Sequence, residues 1–338
     1  MAIEYKKSEK QNFMDMLRGE QPEWLPWYKI QEYVVMPEFM CAGHITPGGG
    51  KDIYGVEYVT EDDAGGGALP KPGDFILADI RDWRDVIKNP AISESEWKSI
   101  AEADMKGVDV NAKPRLANPM RGCFQMLMSF MGFNEGMCAL AEEPEECIAL
   151  FDYITEFMAD ILKHMIMYYK LDGLSLMDDN ASANYPFISL KMYRELLKPF
   201  EKRLCDIALD NGLPIHIHDC GHCEVFIDDW IEMGITSWDP AQISNNLPGI
   251  KEKYGRKLVL NGCWDQQGRV SLLTTSDEEL RDALAEYIDA FAPGGAFGYV
   301  PFILGRRDDP VVMRKNKLFE DFYYDYARDW YHNHPNQR

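Results

Sequence analysis

Residues 214–220, Pro-Ile-His-Ile-His-Asp-Cys, decide the fold that the sequence predicts. Isoleucines alternate with His216 and His218, and the run then ends in an acid and a thiol followed by Gly221. Alternation of this kind over a few residues is typical of a β-strand. A strand that ends in polar, metal-binding side chains is typical of a barrel whose functional groups lie at the carboxyl ends of its strands.

Strand and helix patterns alternate on both sides of this stretch. Helical connections between successive strands imply parallel pairing. No glycine fingerprint of the type G-x-G-x-x-G follows a strand, so we favour a distorted (β/α)8 TIM barrel over an open nucleotide-binding sheet. Besides 214–218, the strands are predicted at 174–177, 235–238, 257–261 and 295–299, and the helices at 142–169, 189–210, 223–233 and 275–291.

The N-terminal part of the chain lacks this alternation. Residues 8–17 predict a short helix, and residues 53–58 predict a hairpin among loop-forming glycines and prolines. We therefore predict an N-terminal helical and hairpin cap over residues 1–115, packed on a barrel that residues 116–338 form.

Composition excludes several classes of protein. The chain has 338 residues, and 35 basic against 56 acidic residues give a net charge of −21. Such a surface repels phosphate backbones and anionic lipid, so we expect no nucleic-acid or membrane partner. The polar N-terminus carries no secretory signal, which predicts a cytoplasmic protein. Eight cysteines are too sparse for a disulfide scaffold and are expected to be free or metal-bound.

Histidine and cysteine concentrate at the predicted strand ends. His218 and Cys220 share one strand face, and Cys263 follows the next strand but one. Zinc binds cysteine sulfur and histidine nitrogen, and a catalytic zinc keeps three protein ligands and one open position. The pattern predicts a zinc site of His218, Cys220 and Cys263, with Cys223 as a further candidate that can replace Cys220. His216, deeper in the strand, is expected to be a buried or supporting histidine.

Aspartates end two other predicted strands. Asp178 and Asp179 can act as a general acid or base, accept a hydrogen bond from substrate, or cap the strand end. Paired acids shift each other's pKa, so we predict a catalytic role for the pair while the capping interpretation stays open. Asp239 is predicted to bind substrate.

Short motifs recur in a fixed order along nearly the whole chain. They are Leu-Arg-Gly-Glu-Gln-Pro at 17–22, Asp-Ile-Tyr-Gly-Val at 52–56, His-Asp-Cys-Gly at 218–221 and Gly-Cys-Trp-Asp at 262–265. In this order they resemble the uroporphyrinogen decarboxylase superfamily and, within it, the corrinoid-dependent methyltransferases. The resemblance implies a distorted barrel with its active site at the carboxyl-terminal rim. Residues 28–32 lack the Arg-Gln-Ala-Gly-Arg-like segment with which true decarboxylases hold substrate carboxylates, so porphyrinogen decarboxylation is not expected.

The methyltransferase branch holds zinc with a His-x-Cys pair and a distant cysteine. His218 and Cys220 match the pair, and Cys263 would substitute for a cysteine that is absent near Gly294. The resemblance implies the methyltransferase component of an O-demethylase system, which takes a methyl group from a small donor such as an aromatic methyl ether. Trp27 and Trp264 would then wall the substrate pocket.

The resemblance also implies a partner. The chain contains no Asp-x-His-x-x-Gly corrinoid motif, so the corrinoid would be carried by a separate protein that docks at the barrel mouth. Two alternatives stay open: a uroporphyrinogen decarboxylase-like lyase that acts without metal, and a non-catalytic binding protein stabilised by zinc. The sequence leaves the oligomeric state open, with a homodimer as one option.

Overall fold

Parallel β-strands organise the protein, whose computed structural model describes residues 3–28, 34–41, 43, 49–60, 68–306 and 308–337. Seven of the described strands form one sheet, in which every neighbouring pair is parallel. The strands are β1 (Val34–Val35), β2 (Gly50–Lys51), β3 (Glu57–Thr60), β4 (Ala68–Pro70), β5 (Leu116–Ala117), β6 (Gly173–Asp178), β7 (Ile215–Asp219), β8 (Ile235–Ala241), β9 (Val259–Gly262) and β10 (Phe297–Tyr299).

The large sheet has the spatial order β1-β5-β6-β7-β8-β9-β10 and curls back on itself. Trp27 forms a single parallel bridge with Tyr299 of β10, while Val34 pairs with Leu116 of β5. The residue bridged to one outer strand, Trp27, and the other outer strand, β1, therefore lie close together in the sequence. A (β/α)8 barrel has eight strands, and the described residues contain seven in this sheet. Beyond them, the bridge between Trp27 and Tyr299 is the only further pairing with this sheet among the described residues.

Helices connect the strands and cover the outer face of the sheet. Predicted helix 275–291 begins at Asp277, where Ser276 and Glu279 form a capping box at the N-terminus. None of the helices in the described ranges combines the length and apolar character needed to cross a membrane. The α-helices are α1 (Glu9–Leu17), α2 (Trp83–Val86), α3 (Glu94–Asp104), α4 (Cys123–Met131), α5 (Phe133–Glu142), α6 (Pro144–Tyr168), α7 (Leu190–Met192), α8 (Lys198–Asp210), α9 (Ile227–Glu232), α10 (Leu247–Tyr254), α11 (Asp277–Phe291), α12 (Pro310–Phe322) and α13 (Trp330–Asn333).

The predicted continuous helix over 189–210 is interrupted. A π-helical turn, Tyr193–Leu197, separates α7 from α8, and the N–H of Lys198 bonds to the carbonyl of Tyr193. Pro199 has no N–H to continue the α-helical pattern, so the chain widens by one residue at this point. The break was not predicted, although its cause is visible in the sequence.

The hairpin predicted near residues 53–58 is formed by β2 and β3, and β4 adds a third antiparallel strand. Asp52 stabilises its first turn, since Oδ1 accepts hydrogen bonds from the N–H groups of Tyr54 at 2.9 Å and Val56 at 3.0 Å. The division at residue 115 remains a prediction, although β1 comes from before it and belongs to the large sheet.

Asp178, the last residue of β6, fixes the start of α4. Its carboxylate accepts hydrogen bonds from the N–H groups of Phe124 at 3.1 Å and Gln125 at 2.9 Å, where the helix leaves N–H donors unpaired. Gly122 makes this approach possible, because a Cβ atom there would lie 2.2 Å from Asp178 Oδ2. The carboxyl end of β6 and the start of α4 are therefore held together.

We predict that Gly122→Ala lowers the free energy of unfolding by about 2–3 kcal/mol, because the added methyl group displaces the carboxylate from the helix end. Chemical denaturation measures the effect. Gly136→Ala, in the middle of α5, is the matched control: its Cβ would meet only the flexible end of Met128, and alanine favours a helix. Equal losses for the two variants would contradict this role of Gly122.

A second prediction concerns Glu201 in α8, which lines a small internal cavity of about 20 Å³ together with Asp178. Tyr193 donates a hydrogen bond to Glu201 Oε2, and Oε1 is buried without a hydrogen-bond partner among the described residues. The pKa of Glu201 is raised to about 8, chiefly by burial and also by the nearby Asp178 and Asp229, while the hydrogen bond from Tyr193 lowers it.

The folded protein therefore keeps a proton on Glu201 that the unfolded chain releases above its ordinary pKa of 4.5. Stability is lost as pH rises from about 5 to 8, and Glu201→Gln should remove that loss, a relative gain of about 1–3 kcal/mol across the interval. Denaturation at several pH values measures how the free energy of unfolding changes with pH. A destabilisation by the amide that is the same at every pH does not affect this slope. A stability difference that stays flat from pH 5 to pH 8 would show that Glu201 is ionised in the folded state.

Candidate metal centre and adjoining cavity

Strand register brings the predicted site residues to one edge of the sheet. The β6–β7 pairing sets Met177 beside His218, and the β7–β8 pairing sets His218 beside Asp239. Asp179 and Cys220 follow directly after β6 and β7. The carboxyl ends of parallel strands thus align these side chains, as the sequence predicted.

Asp179, His218 and Cys220 form a compact group of potential metal donors. One donor atom from each lies within 4.8 Å of the other two. His218 Nε2 is 3.5 Å from Cys220 Sγ and 3.9 Å from Asp179 Oδ1, which also accepts a 3.1 Å hydrogen bond from the N–H of Cys220. The His218 and Asp179 side chains are about one-third exposed, at 31% and 33%, so the group is open to a ligand. In the described part of the chain, no other group of three such residues lies this close together.

The group of potential donors contains Asp179 beside His218 and Cys220, and neither Cys223 nor Cys263 belongs to it. Cys223 is fully buried, and its thiol donates to the carbonyl oxygen of Cys220 at 3.1 Å. The loop turns inward because Gly221 has a φ of +95°, where a Cβ would lie 2.5 Å from the carbonyl oxygen of Ala181.

Cys263 lies outside the group as well. It follows β9, two strands from β7, and its thiol is buried. Burial raises the pKa of the thiol. A zinc-binding role for Cys223 and Cys263 stays a prediction that this arrangement of side chains does not favour.

The two members of the predicted catalytic pair differ in their surroundings. Asp178 is buried and its oxygens bond to the start of α4, whereas Asp179 faces the open side of the edge and accepts a hydrogen bond from the side chain of Gln125. Burial raises the pKa of Asp178 to about 7, against the opposing effect of its backbone hydrogen bonds. Asp178 therefore caps the start of helix α4 rather than its own strand end, and only Asp179 of the pair lies beside His218 and Cys220.

Asp239, predicted to bind substrate, contacts two histidines instead. Its Oδ1 lies 2.7 Å from His216 Nε2 and 3.0 Å from His218 Nδ1. Burial would raise the pKa of Asp239, but the two imidazoles outweigh it and hold the pKa well below its usual range. Asp239 in turn raises the pKa of His218 well above its usual value, against the effect of burial.

His216 is fully buried, as expected, and joins a polar chain that sequence reasoning missed. Its Nδ1 lies 3.0 Å from Ser237 Oγ, which is 2.7 Å from Asn261 Nδ2, and the Tyr28 hydroxyl is 2.7 Å from His216 Nε2. Asn261 ends a predicted strand directly after the apolar run 258–260, and Ser237 precedes Trp238 in another predicted strand. That pattern was the available signal.

A cavity of about 370 Å³ adjoins Asp179. Its volume is within the range of small-molecule sites. The Arg121 guanidinium at its wall is already compensated: it lies 3.6 Å from Asp52 Oδ2, donates to Ser129 Oγ at 3.1 Å and stacks on the ring of Tyr58. The aromatic lining residues are Phe75, Phe124, Phe133 and Phe187.

Neither tryptophan predicted to wall the substrate pocket lines this cavity. Trp27 packs in the core against Tyr299 and Tyr323, with ring centroids 5.4 and 5.1 Å away. Trp264 donates its indole N–H to Ser271 at 2.9 Å and borders a separate cavity of about 70 Å³ at the same rim. The aromatic wall comes instead from Phe124 in α4, Phe133 in α5, and Phe75 and Phe187, which lie outside the helices.

Comparison with known proteins places this geometry in a family. A methyltransferase from Methanosarcina mazei has a similar fold, with a TM-score of 0.59 and 13% identity over 94% of this chain and 100% of that chain. No curated protein sequence matches the chain. The profile of the uroporphyrinogen decarboxylase (URO-D) family matches residues 78–304, which is more than half of the 338 residues. The protein therefore belongs to the URO-D family, as the order of its motifs indicated.

Proposed function

We propose that the protein is a zinc-dependent methyltransferase that takes a methyl group from a small aromatic methyl ether and passes it to the corrinoid of a partner protein. The observation that carries the proposal is the group of Asp179, His218 and Cys220 next to a cavity of about 370 Å³. A metal site beside an apolar cavity suits a reaction on an apolar donor.

The donor set fits zinc. Nitrogen, sulfur and oxygen are all accepted by zinc, and three protein ligands leave the open position of a catalytic site. Asp179, His218 and Cys220 would hold the ion. Bound there, zinc supplies Lewis acidity that makes an ether oxygen a better leaving group.

The cavity residues bind and orient the donor. The rings of Phe124 and Phe187 are nearly parallel, with centroids 5.9 Å apart. Phe133 packs edge-on against Phe187, with centroids 4.9 Å apart. This wall suits a flat ring, and it excludes water from the reacting bond. Because Asp52 compensates Arg121, the cavity presents little net positive charge, and an uncharged ring is favoured over one carrying several carboxylates.

The two aspartates divide their roles in this proposal. Asp179 holds the metal and meets the donor at the end of the cavity. Asp178 positions α4, which carries Phe124 into the cavity wall. Neither tryptophan is needed for binding.

The corrinoid protein would dock over the open rim. Exposed apolar side chains follow three successive strands there, at Ile243, Leu272 and Leu304. Exposed apolar residues after successive strands of an acidic protein support a contact surface for a partner on this side. A cytoplasmic location and a homodimer stay part of the proposal without bearing on the site.

We predict that Asp179→Ala, His218→Ala and Cys220→Ala each lower zinc affinity at least about 100-fold, because each removes a ligand. Competition with a chromophoric chelator measures the affinity, and thermal melting checks the fold. Cys138→Ala, an exposed cysteine, is the matched control and should bind zinc as the wild type does.

Substitution of the cysteines outside the group is expected to leave zinc bound. Cys223→Ala and Cys263→Ala should keep zinc affinity within about threefold. If Cys263→Ala loses zinc while Asp179→Ala keeps it, the ligand set expected from sequence is right and Asp179 is not a ligand. A wild-type protein that binds no zinc would favour the metal-free lyase.

We also predict methyl transfer from methoxylated aromatics to a reduced corrinoid protein, followed by the absorbance of methylcobalamin. Phe133→Ala should raise the KM for the donor about 10-fold or more with a smaller effect on kcat, because it removes a cavity wall. Tyr185→Ala, an exposed aromatic outside the cavity lining, should change neither constant. Equal effects of the two variants would place the donor elsewhere.

A further inference from the structure

A continuous line of hydrogen bonds crosses the interior of the sheet from Asn261 to His218. We propose that this line decides which nitrogen of His218 meets the metal: Nδ1 carries the proton and Nε2 presents its lone pair. Asp239 and His216 are then positioning residues for the metal ligand. The inference rests on the metal site proposed above and adds the orientation of one of its ligands.

The line begins at Asn261, which is fully buried. Its Nδ2 lies 2.7 Å from Ser237 Oγ and 3.4 Å from the carbonyl oxygen of Trp238. A carbonyl only accepts hydrogen bonds, so the amide nitrogen, and not its oxygen, faces this side. Gly298 leaves room for the amide oxygen on the other side, where a Cβ would lie 2.1 Å from Asn261 Oδ1. Asn261 therefore donates to Ser237.

The next donor in the line is Ser237, and its acceptor is His216. Ser237 Oγ already accepts from Asn261, and it turns its own proton to His216 Nδ1 at 3.0 Å. His216 thus holds its proton on Nε2 and donates it to Asp239 Oδ1 at 2.7 Å. The oxygen of the Tyr28 hydroxyl, at 2.7 Å from the same nitrogen, accepts a share of that proton.

Asp239 completes the argument. Its Oδ1 already accepts from His216 Nε2 at 2.7 Å, and a carboxylate oxygen accepts hydrogen bonds. His218 Nδ1, 3.0 Å away, must therefore be the donor. The opposite nitrogen, Nε2, is the atom that lies 3.5 Å from Cys220 Sγ and 3.9 Å from Asp179 Oδ1. The lone pair is aimed at the other two ligands.

The arrangement has a physical benefit for metal binding. A histidine that donates its second nitrogen to a carboxylate is fixed in ring orientation and is a more basic ligand. His216 keeps Asp239 in place from the buried side, so the carboxylate does not follow His218 when the metal leaves. Preorganisation of this kind raises metal affinity without another ligand.

The test uses the full chain loaded with zinc and labelled with ¹⁵N-histidine. Nitrogen NMR should assign the metal to Nε2 of His218 and a slowly exchanging proton to Nδ1. Asp239→Asn should lower zinc affinity about 10–100-fold, and Ser237→Ala should lower it by a smaller factor. Asp206→Asn, an exposed aspartate paired with Lys202, is the matched control and should bind zinc like the wild type.

The outcomes separate this inference from the proposed site. Zinc coordinated through Nδ1, or Asp239→Asn with affinity within twofold of the wild type, overturns the inference while the metal site stands. A protein that binds no zinc overturns the proposed site and the inference with it. If Asp239→Asn fails to fold, the wild-type NMR assignment and the affinity of Ser237→Ala decide the matter.

Discussion

The parallel pairing of β6, β7 and β8, with its register shift between Ile215 and His216 on the β8 side, supports everything that lies at the carboxyl ends of these strands. It sets Met177 beside His218 and His218 beside Asp239, so that residues from three distant parts of the chain become neighbours. A shift by one residue would turn His218 to the other face of the sheet and separate it from both aspartates. The metal group, the buried hydrogen-bond line and the adjoining cavity all depend on this register.

Buried charge at this edge is compensated by fixed donors rather than by solvent. Asp178 uses the N–H groups at the start of α4, and Asp239 uses two imidazoles. An uncompensated carboxylate in either place would cost several kcal/mol. The carboxylates of Asp178 and Asp239 therefore both bond to buried groups. Asp179 is the aspartate of the three that faces the cavity.

Sequence reasoning reached the strands and the edge but not the contacts made there. An apolar run that ends in a polar cluster marks β6, β7, β8 and β9 well, because burial on both faces leaves a strong local pattern. The choice between Asp179 and Cys263 as third donor depends on which strands are adjacent and where Gly221 turns the loop. Such information lies between segments, not within one. The packing of Trp27 against Tyr299 and Tyr323 is likewise hidden in the sequence, since a tryptophan near a turn can equally face a cavity or the core.

Helix α4 connects two parts of the site that are usually considered apart. Its first turn is tied to Asp178, Gln125 donates to Asp179, and Phe124 and Met128 form one wall of the cavity. That wall cannot be remodelled without disturbing the surroundings of Asp179. Phe133 is linked to it through Phe187, whereas Leu69 and Phe75 have no hydrogen bond to Asp178 or Asp179 among the described residues. If the cavity binds the substrate as proposed, a designer who wishes to change its specificity would begin at Leu69 and Phe75.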